Sequence, residues 1–391
     1  MRGVWYLAWR YMIWHRWKAS ILVWAVTLVL YLPLGLQLVV EQTARDMNVR
    51  ADSTPLVLGG RGSPLELVLS ALYFSAEQPP GFGYGVVAEL RNSGLVDPVP
   101  LYIRYHSQGV PIVGTTLDYF GFRDLQLARG RQLATLGEAV LGARAAKELG
   151  VEVGDFVVSS PDSVFDIAGV YPLKMPVVGV LVMSYSPDDE AIFVDLKTAW
   201  IIEGIGHGHQ ELTRPEAAGA VLKTEADRIV ANASLVQYNE ITADNIDSFH
   251  FHGDNTEMPL TAILPAPRGD KARVLIQGRY QDHETLQLLE PRAVIDQLLD
   301  TVFAVQRYVL VAMGLVVLAT AAVVLLVFLL SWRARRPEQD TLYRLGGSQT
   351  AILSLMMAEV IIVLATSTVL AALLVALTHW FGGPLLKAVV L

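Results

Sequence analysis

The chain has 391 residues, 53% of them hydrophobic and 17% charged, with a formal net charge of −8 and no cysteine. So apolar a composition is unlike that of ordinary soluble domains. The acidic balance, with no basic patch interleaved with aromatics, argues against nucleic-acid binding, and the lack of thiols excludes disulfides, thiolate catalysis and cysteine metal sites.

Val4–Lys18 sets Trp5, Trp9, Trp14 and Trp17 among Arg10, Arg16 and Lys18. Tryptophan and basic side chains together favour the headgroup layer of a bilayer. This predicts an interfacial, cytoplasmic elbow helix over 1–20. The run Ile21–Val40 follows without a Lys or Arg. A bilayer core about 30 Å thick needs roughly 20 such residues as a helix, so 21–40 is the first expected transmembrane helix. It is longer than the apolar core of a signal peptide, and Glu41–Arg45 offers no small-x-small cleavage site, which predicts an uncleaved anchor. Pro33 and Gly35 predict a kink within it.

Residues 41–306 read as one extracytoplasmic domain of mixed secondary structure. A polar helix continues over Glu41–Arg50, and Leu65–Phe74 is a short helix. Gly59-Gly60-Arg61-Gly62, Pro79-Pro80-Gly81 and Gly83–Gly85 read as loops. Strands are expected at Leu101–Tyr105, Val110–Gly114, Phe156–Ser159, Phe165–Val170, Val177–Met183, Ala191–Asp195, Gly219–Lys223, Pro259–Leu264 and Arg273–Gln277. Helices are expected at Ala143–Leu149, Leu196–Ile202, Glu225–Ser234 and Glu290–Gln306, the last running into the next span.

Two further apolar runs, Tyr308–Ser331 and Ala351–Thr378, predict transmembrane helices over 307–331 and 351–378. The loop 332–350 between them carries Arg333, Arg335, Arg336 and Arg344, and the segment before the first span is basic too. The positive-inside rule places both in the cytoplasm and the large insert outside. Residues 379–391 are then a short extracytoplasmic tail. The expected fold class is α+β: a membrane protein with three transmembrane helices and a large mixed α/β extracytoplasmic domain inserted between the first and second.

Several stretches resemble one family. Tyr6-Leu7-Ala8-Trp9-Arg10-Tyr11 resembles the opening of MacB/FtsX-like ABC transporter permeases, the type VII or mechanotransmission family. Leu127–Arg131, Ala139–Gly142, Ala145–Gly150, Val153-Gly154-Asp155 and Ile167–Val170 are similar to its periplasmic core domain. Arg335-Arg336-Pro337-Glu338, then Leu342–Ser348, Ile352 and Glu359 resemble the loop that contacts the ATPase in that family. The resemblance implies a permease subunit with ATPase-coupling residues Arg335, Arg336, Glu338, Leu342, Arg344, Gly346 and Gly347. It implies a separate cytoplasmic ABC ATPase that binds ATP and Mg, a second permease chain, and a periplasmic substrate or adaptor, in the cytoplasmic (inner) membrane. Families of this design export drugs, peptides or lipoproteins, or control envelope enzymes. Members have four spans, and this sequence offers three.

No Gly-x-x-x-x-Gly-Lys-Ser/Thr loop occurs, so phosphates have no cradle here and ATP hydrolysis is not expected of this chain. Neither Gly-x-Ser-x-Gly nor His-Glu-x-x-His is present, and no catalytic residue is expected. Glu359 is an intramembrane carboxylate, read as pairing with an arginine of the loop such as Arg344. Of the eight histidines, four form two pairs, His207 with His209 and His250 with His252. Residues two apart share a face of a strand, so each pair could present two imidazoles to Zn²⁺. Two other functions therefore stand beside the permease: a membrane-anchored sensor or scaffold without ATPase coupling, and a zinc-linked surface protein.

Overall fold

A computed structural model of the chain describes residues 2–75, 78–160, 172–208, 221–225, 228–231, 238–251, 253–344, 346 and 348–390. In chain order the helix α1 (Arg2–Trp14) precedes α2 (Arg16–Asp52), then come β1 (Val57–Gly60), α3 (Pro64–Tyr73), β2 (Phe82–Gly83) and α4 (Gly85–Ser93). The hairpin β3 (Val96–Ser107) and β4 (Val110–Thr115) is followed by α5 (Asp118–Phe122), β5 (Leu127–Gly130), β6 (Ala139–Leu141), α6 (Ala143–Leu149) and β7 (Phe156–Val158). Next are β8 (Lys174–Leu181), β9 (Ile192–Asp195), α7 (Leu196–Ile202), β10 (Gly206–Gly208), β11 (Val221–Glu225), β12 (Arg228–Ala231) and β13 (Phe249–Phe251). The chain ends with β14 (Pro259–Leu260), β15 (Ala262–Pro267), α8 (Asp270–Tyr280), β16 (Leu286–Leu289), α9 (Pro291–Ala334), α10 (Arg336–Arg344) and α11 (Gln349–Val390).

Two compact units divide the chain, one of Met1–Asn48 with Gln297–Leu391, the other of Val49–Asp296. Both divisions fall inside helices, because α2 and α9 each continue well beyond their apolar runs.

Among the described residues three helices are long and apolar enough to cross a membrane, Arg16–Asp52, Pro291–Ala334 and Ile352–Trp380. Helix α2 stays helical through Pro33. Arg2–Trp14 forms its own helix, α1, set off from α2 by a turn at His15. Leucines such as Leu32, Leu315, Leu325 and Leu373 stay at least half exposed, as suits side chains whose solvent is lipid. Hydrogen bonds link α2 and α11. Ser367 Oγ donates to the Val23 carbonyl at 3.1 Å, Thr27 Oγ1 to the Ser367 carbonyl at 3.4 Å, and the Tyr31 and Thr378 hydroxyls meet at 2.8 Å. Inside a bilayer such interhelical hydrogen bonds hold helices that hydrophobicity alone cannot join. The partner numbers rise together along both helices, so α2 and α11 run in the same direction. The expected tail does not end the helix at Thr378: α11 continues to Val390.

The second unit is built on a ten-stranded sheet with the order β16-β1-β15-β3-β4-β9-β6-β8-β5, β7 pairing with β8 off that path. Most pairings are antiparallel, with β4–β9 and β6–β8 parallel. The core beneath it joins Leu58, Tyr102, Ile112, Leu141, Met175, Val194 and Trp200. Three helices fall where the sequence puts them because their ends are marked. Ser63 caps the first turn of α3 by accepting from Glu66 N at 3.3 Å, with Pro64 at its first position. Gly150, at φ +64°, closes α6. Asp195 accepts from Lys197 N at 2.9 Å to open α7.

Other expectations are corrected. Gly59-Gly60 is not a loop but half of β1, fully buried. A Cβ on Gly59 would lie 2.3 Å from Leu67 Cδ1, and one on Gly60 2.1 Å from the Pro80 carbonyl oxygen; these glycines serve close packing, not turning. The Gly83–Gly85 cluster closes β2 and opens α4. Arg273–Gln277 is helical, inside α8. There Ala272, Ile276 and Tyr280 are buried while Val274 is 65% exposed; the spacing of four overrides the local run of β-favouring residues. Glu225–Ser234 is not a helix where it is described: Glu225 ends β11 and Arg228–Ala231 is β12, paired through Glu225↔Arg228. Pro259–Leu264 splits into β14 and β15 around Thr261. Phe165–Val170, with the family-like stretch 167–170, lies outside the described residues, as do 219 and 220.

Candidate coupling and attachment sites

The segment 332–350 is expected to be a loop; its middle is the helix α10, joined to α9 through one non-helical residue, Arg335. Arg335 does not face outward. It is 8% exposed, and so is Glu359 on α11. Its Nη1 donates to Glu359 Oε1 at 2.9 Å, and its Nε to the Tyr11 hydroxyl of α1 at 2.8 Å. The guanidinium carbon lies 3.3 Å from the centre of the Tyr11 ring. The carboxylate thus pairs with an arginine, as expected, but with Arg335 rather than Arg344. A flat cation that stacks and hydrogen-bonds at once is what arginine supplies and lysine does not. One residue at the α9–α10 junction thereby ties α1 and α11 together.

Beyond this junction α10 is mostly exposed. Arg336, Asp340, Tyr343 and Arg344 face outward, whereas Gln339 turns inward and donates to the Trp332 carbonyl at 3.4 Å. The side chains of Glu338 and Leu342, and Gly347 altogether, lie outside the described residues. Gly346 closes α10: its φ is +93°, and its N–H donates to the Tyr343 carbonyl at 3.0 Å. Gly346→Val should cost about 1–2 kcal/mol at this turn, because a side chain is strained there. Trypsin cleavage after Arg344 in the detergent-solubilised chain should accelerate; cleavage at the parent rate would contradict the cap.

A second cluster lies where α2 joins the other unit. Arg50 and Asp188 form a bidentate ion pair, with Nη1–Oδ2 at 2.6 Å and Nη2–Oδ1 at 2.9 Å, and side chains only 7% and 2% exposed. The Tyr119 hydroxyl donates to Asp188 Oδ1 at 2.5 Å and accepts from Arg50 Nη2 at 3.1 Å. Arg50 Nε reaches the Leu72 carbonyl at 3.1 Å. Burial alone would raise the Asp188 carboxyl; the Arg50 charge and hydrogen bonds from Arg50 and Tyr119 outweigh it and hold the group below the ordinary carboxylate range. Burial, with the Asp188 charge next, pushes the Tyr119 phenol up to about 12. Just beyond, Arg123 Nη1 donates to Thr54 Oγ1 at 2.8 Å, and Arg292 at the start of α9 pairs with Asp52 at 2.9 Å. The two connections also leave side by side: Val57 of β1 is opposite Leu289 of β16. None of these partnerships was expected from the sequence. The available signal was Pro187-Asp188-Asp189-Glu190, three acids directly before the apolar run Ala191–Val194.

Of the histidines, His207 on β10 and His250 on β13 are direct cross-strand partners with ring centres 4.9 Å apart. His209 and His252 lie outside the described residues. Among the described residues no group of three or more His, Asp or Glu side chains is placed to hold a metal.

Three helices able to cross a bilayer and a mixed α/β domain inserted after the first define a multi-pass membrane protein with a large insert. The MacB-like periplasmic core domain family matches residues 20–238, more than half the chain. The chain belongs to that family and is a MacB/FtsX-like ABC transporter permease, a protein of the inner membrane. Solved structures similar to it include the periplasmic region of MacB from Actinobacillus actinomycetemcomitans, at 9% identity and a TM-score of 0.36, covering 63% of this chain and 94% of that one. Another is the extracellular domain of the noncanonic ABC-type transporter YknZ from Gram-positive bacteria, at 12% identity and a TM-score of 0.34, covering 60% and 98%. No curated protein matches the chain.

Proposed function

We propose that this chain is a permease subunit whose extracytoplasmic domain is moved by a separate cytoplasmic ATPase. That ATPase binds ATP and Mg, and two permease chains pair around it. Helix α10 receives the ATPase; α2 and α9 carry the movement to the domain for export or for control of an envelope process, with no channel through the bilayer required. The N-terminus and α10 lie in the cytoplasm and the residue 49–296 unit outside. The observation that carries this reading is the junction at Arg335. A rigid, inward-facing cation there fixes one end of a short helix whose Arg336, Tyr343 and Arg344 are left outward. The sequence also lacks a phosphate loop of its own.

Affinity purification of the native chain tests the proposal. An ABC ATPase should co-purify and should be lost on Arg336→Glu with Arg344→Glu, charge changes on exposed positions that leave the fold intact. Retention of the same partners by that double variant would favour an uncoupled sensor or scaffold instead.

The facing of His207 and His250 supports a narrower second reading, in which the β10–β13 ribbon contributes two imidazoles to a zinc site. Zinc alone should then raise the melting temperature of the purified chain, and the paired substitution His207→Ala with His250→Ala should remove that rise. A parent protein indifferent to zinc would end this reading.

A further inference from the structure

We propose that Arg50 is a second attachment of α2, through which displacement of that helix reaches the β9 side of the sheet directly. This rests on the permease reading above, since only a driven helix needs such a path.

The covalent path from α2 enters the sheet at β1, next to one edge. From there, force would cross β15, β3 and β4 before reaching β9. Arg50 bypasses those strands. It sits in the last turn of α2 and is bound to Asp188, in the short helical turn Pro187–Glu190 that leads into β9. The segment holding Asp188 is wedged in place: a Cβ on Gly142 would lie 2.2 Å from the Asp188 carbonyl oxygen and 2.4 Å from the Asp189 carbonyl carbon. There is no room for the segment to yield toward α6. Tyr119, from the helix after β4, closes the third side.

The same acids build an exposed tip. Ser184 N and Oγ both donate to Asp189 Oδ1, at 2.8 and 2.9 Å, and Ser186 Oγ donates to Asp188 Oδ2 at 2.9 Å. Between those serines stands Tyr185, 80% exposed with φ +57°, beside Val182 and Met183. A tip held by Asp188, the carboxylate that holds Arg50, and by its chain neighbour Asp189 moves with Arg50. The geometry makes Arg50 a positioning residue: it touches no cargo, but it fixes where Tyr185 stands relative to α2.

The absence of cysteine makes this measurable in the full chain. Spin labels at Val49→Cys and Tyr185→Cys, both exposed positions, report the distance between the end of α2 and the tip. A control pair at Arg129→Cys and Glu152→Cys reports the fold of the sheet away from the joint. The parent should give one narrow distance. Asp188→Asn should broaden it and add a longer component while the control pair stays narrow. Should Asp188→Asn disturb the control pair as well, Arg50→Lys decides. It keeps the charge but not the bidentate grip, and should broaden only the Val49–Tyr185 distance. An unchanged distance in the variant that keeps its control narrow would overturn the joint. No ATPase takes part, so that failure would leave the permease reading standing, just as loss of ATPase co-purification would leave the joint standing.

Discussion

Glu359→Gln should be among the most damaging single changes in the membrane unit. It leaves the Arg335 guanidinium buried with one hydrogen-bond partner in place of a counter-charge. Removing one member of a buried ion pair costs about 3–5 kcal/mol, while replacing both by apolar groups is often neutral. The expected result is therefore a pattern across variants. Glu359→Gln and Arg335→Met should each lower the melting temperature in detergent. The combination Arg335→Met with Glu359→Leu should recover most of the loss. Coupling should not recover with it, because the double variant still lacks the bond from Arg335 Nε to Tyr11 that fixes the α9–α10 junction. Association with the ATPase and its stimulation would separate the two effects. A double variant that is both stable and fully coupled would show that Arg335 serves stability alone.

Asp188→Ala should have the largest effect in the residue 49–296 unit. It strips Arg50 of its bidentate partner and Tyr119 of its acceptor at once. The expected loss is again about 3–5 kcal/mol, read as a lower midpoint in denaturant titration of the full chain. Arg50→Met with Asp188→Leu should restore much of it. The same carboxylate gives a pH signature. Its folded-state affinity for protons is depressed, so its contribution is complete above the ordinary aspartate range near 3.9 and is lost as the pH falls below that. Parent stability should thus fall in acid, and the apolar double variant should show less of that fall. Equal acid sensitivity in the two would mean that other carboxylates carry it.

The parts of this molecule legible in the sequence are those written in local patterns. The apolar runs stand out because a bilayer demands continuous length. Helices α6 and α7 stand out because Gly150 and Asp195 mark their ends. The family was legible in short series such as Ala145–Gly150, and the match over residues 20–238 agrees. What escaped was decided by partners distant in sequence. Gly59-Gly60 has the composition of a turn, and only Leu67 and Pro80 show that it is a packing surface. Arg50 has an acid at helical spacing, Asp46, yet it pairs with Asp188 across 138 positions. Glu359 was read correctly as a paired carboxylate, but choosing among the arginines of 333–344 required knowing that Arg335 lies in a break between helices. The inward turn of Arg335 was not legible in the sequence.

The placement of β1 has a consequence for synthesis. This strand emerges right after α2, yet its neighbours in the sheet are β15 and β16. Those are the last two strands of that sheet, and Leu289 is followed at once by α9. Non-local pairing of this kind is slow, since chain entropy is lost well before the contacts that reward it. That end of the sheet can therefore close only as the next hydrophobic helix leaves the ribosome. Until then β1, with its buried and uncharged Val57-Leu58, is an unpaired edge open to wrong partners. Closure of this end of the sheet must consequently be timed with the emergence of α9, and chains cut anywhere before Leu289 should be handled by the cell as unfolded.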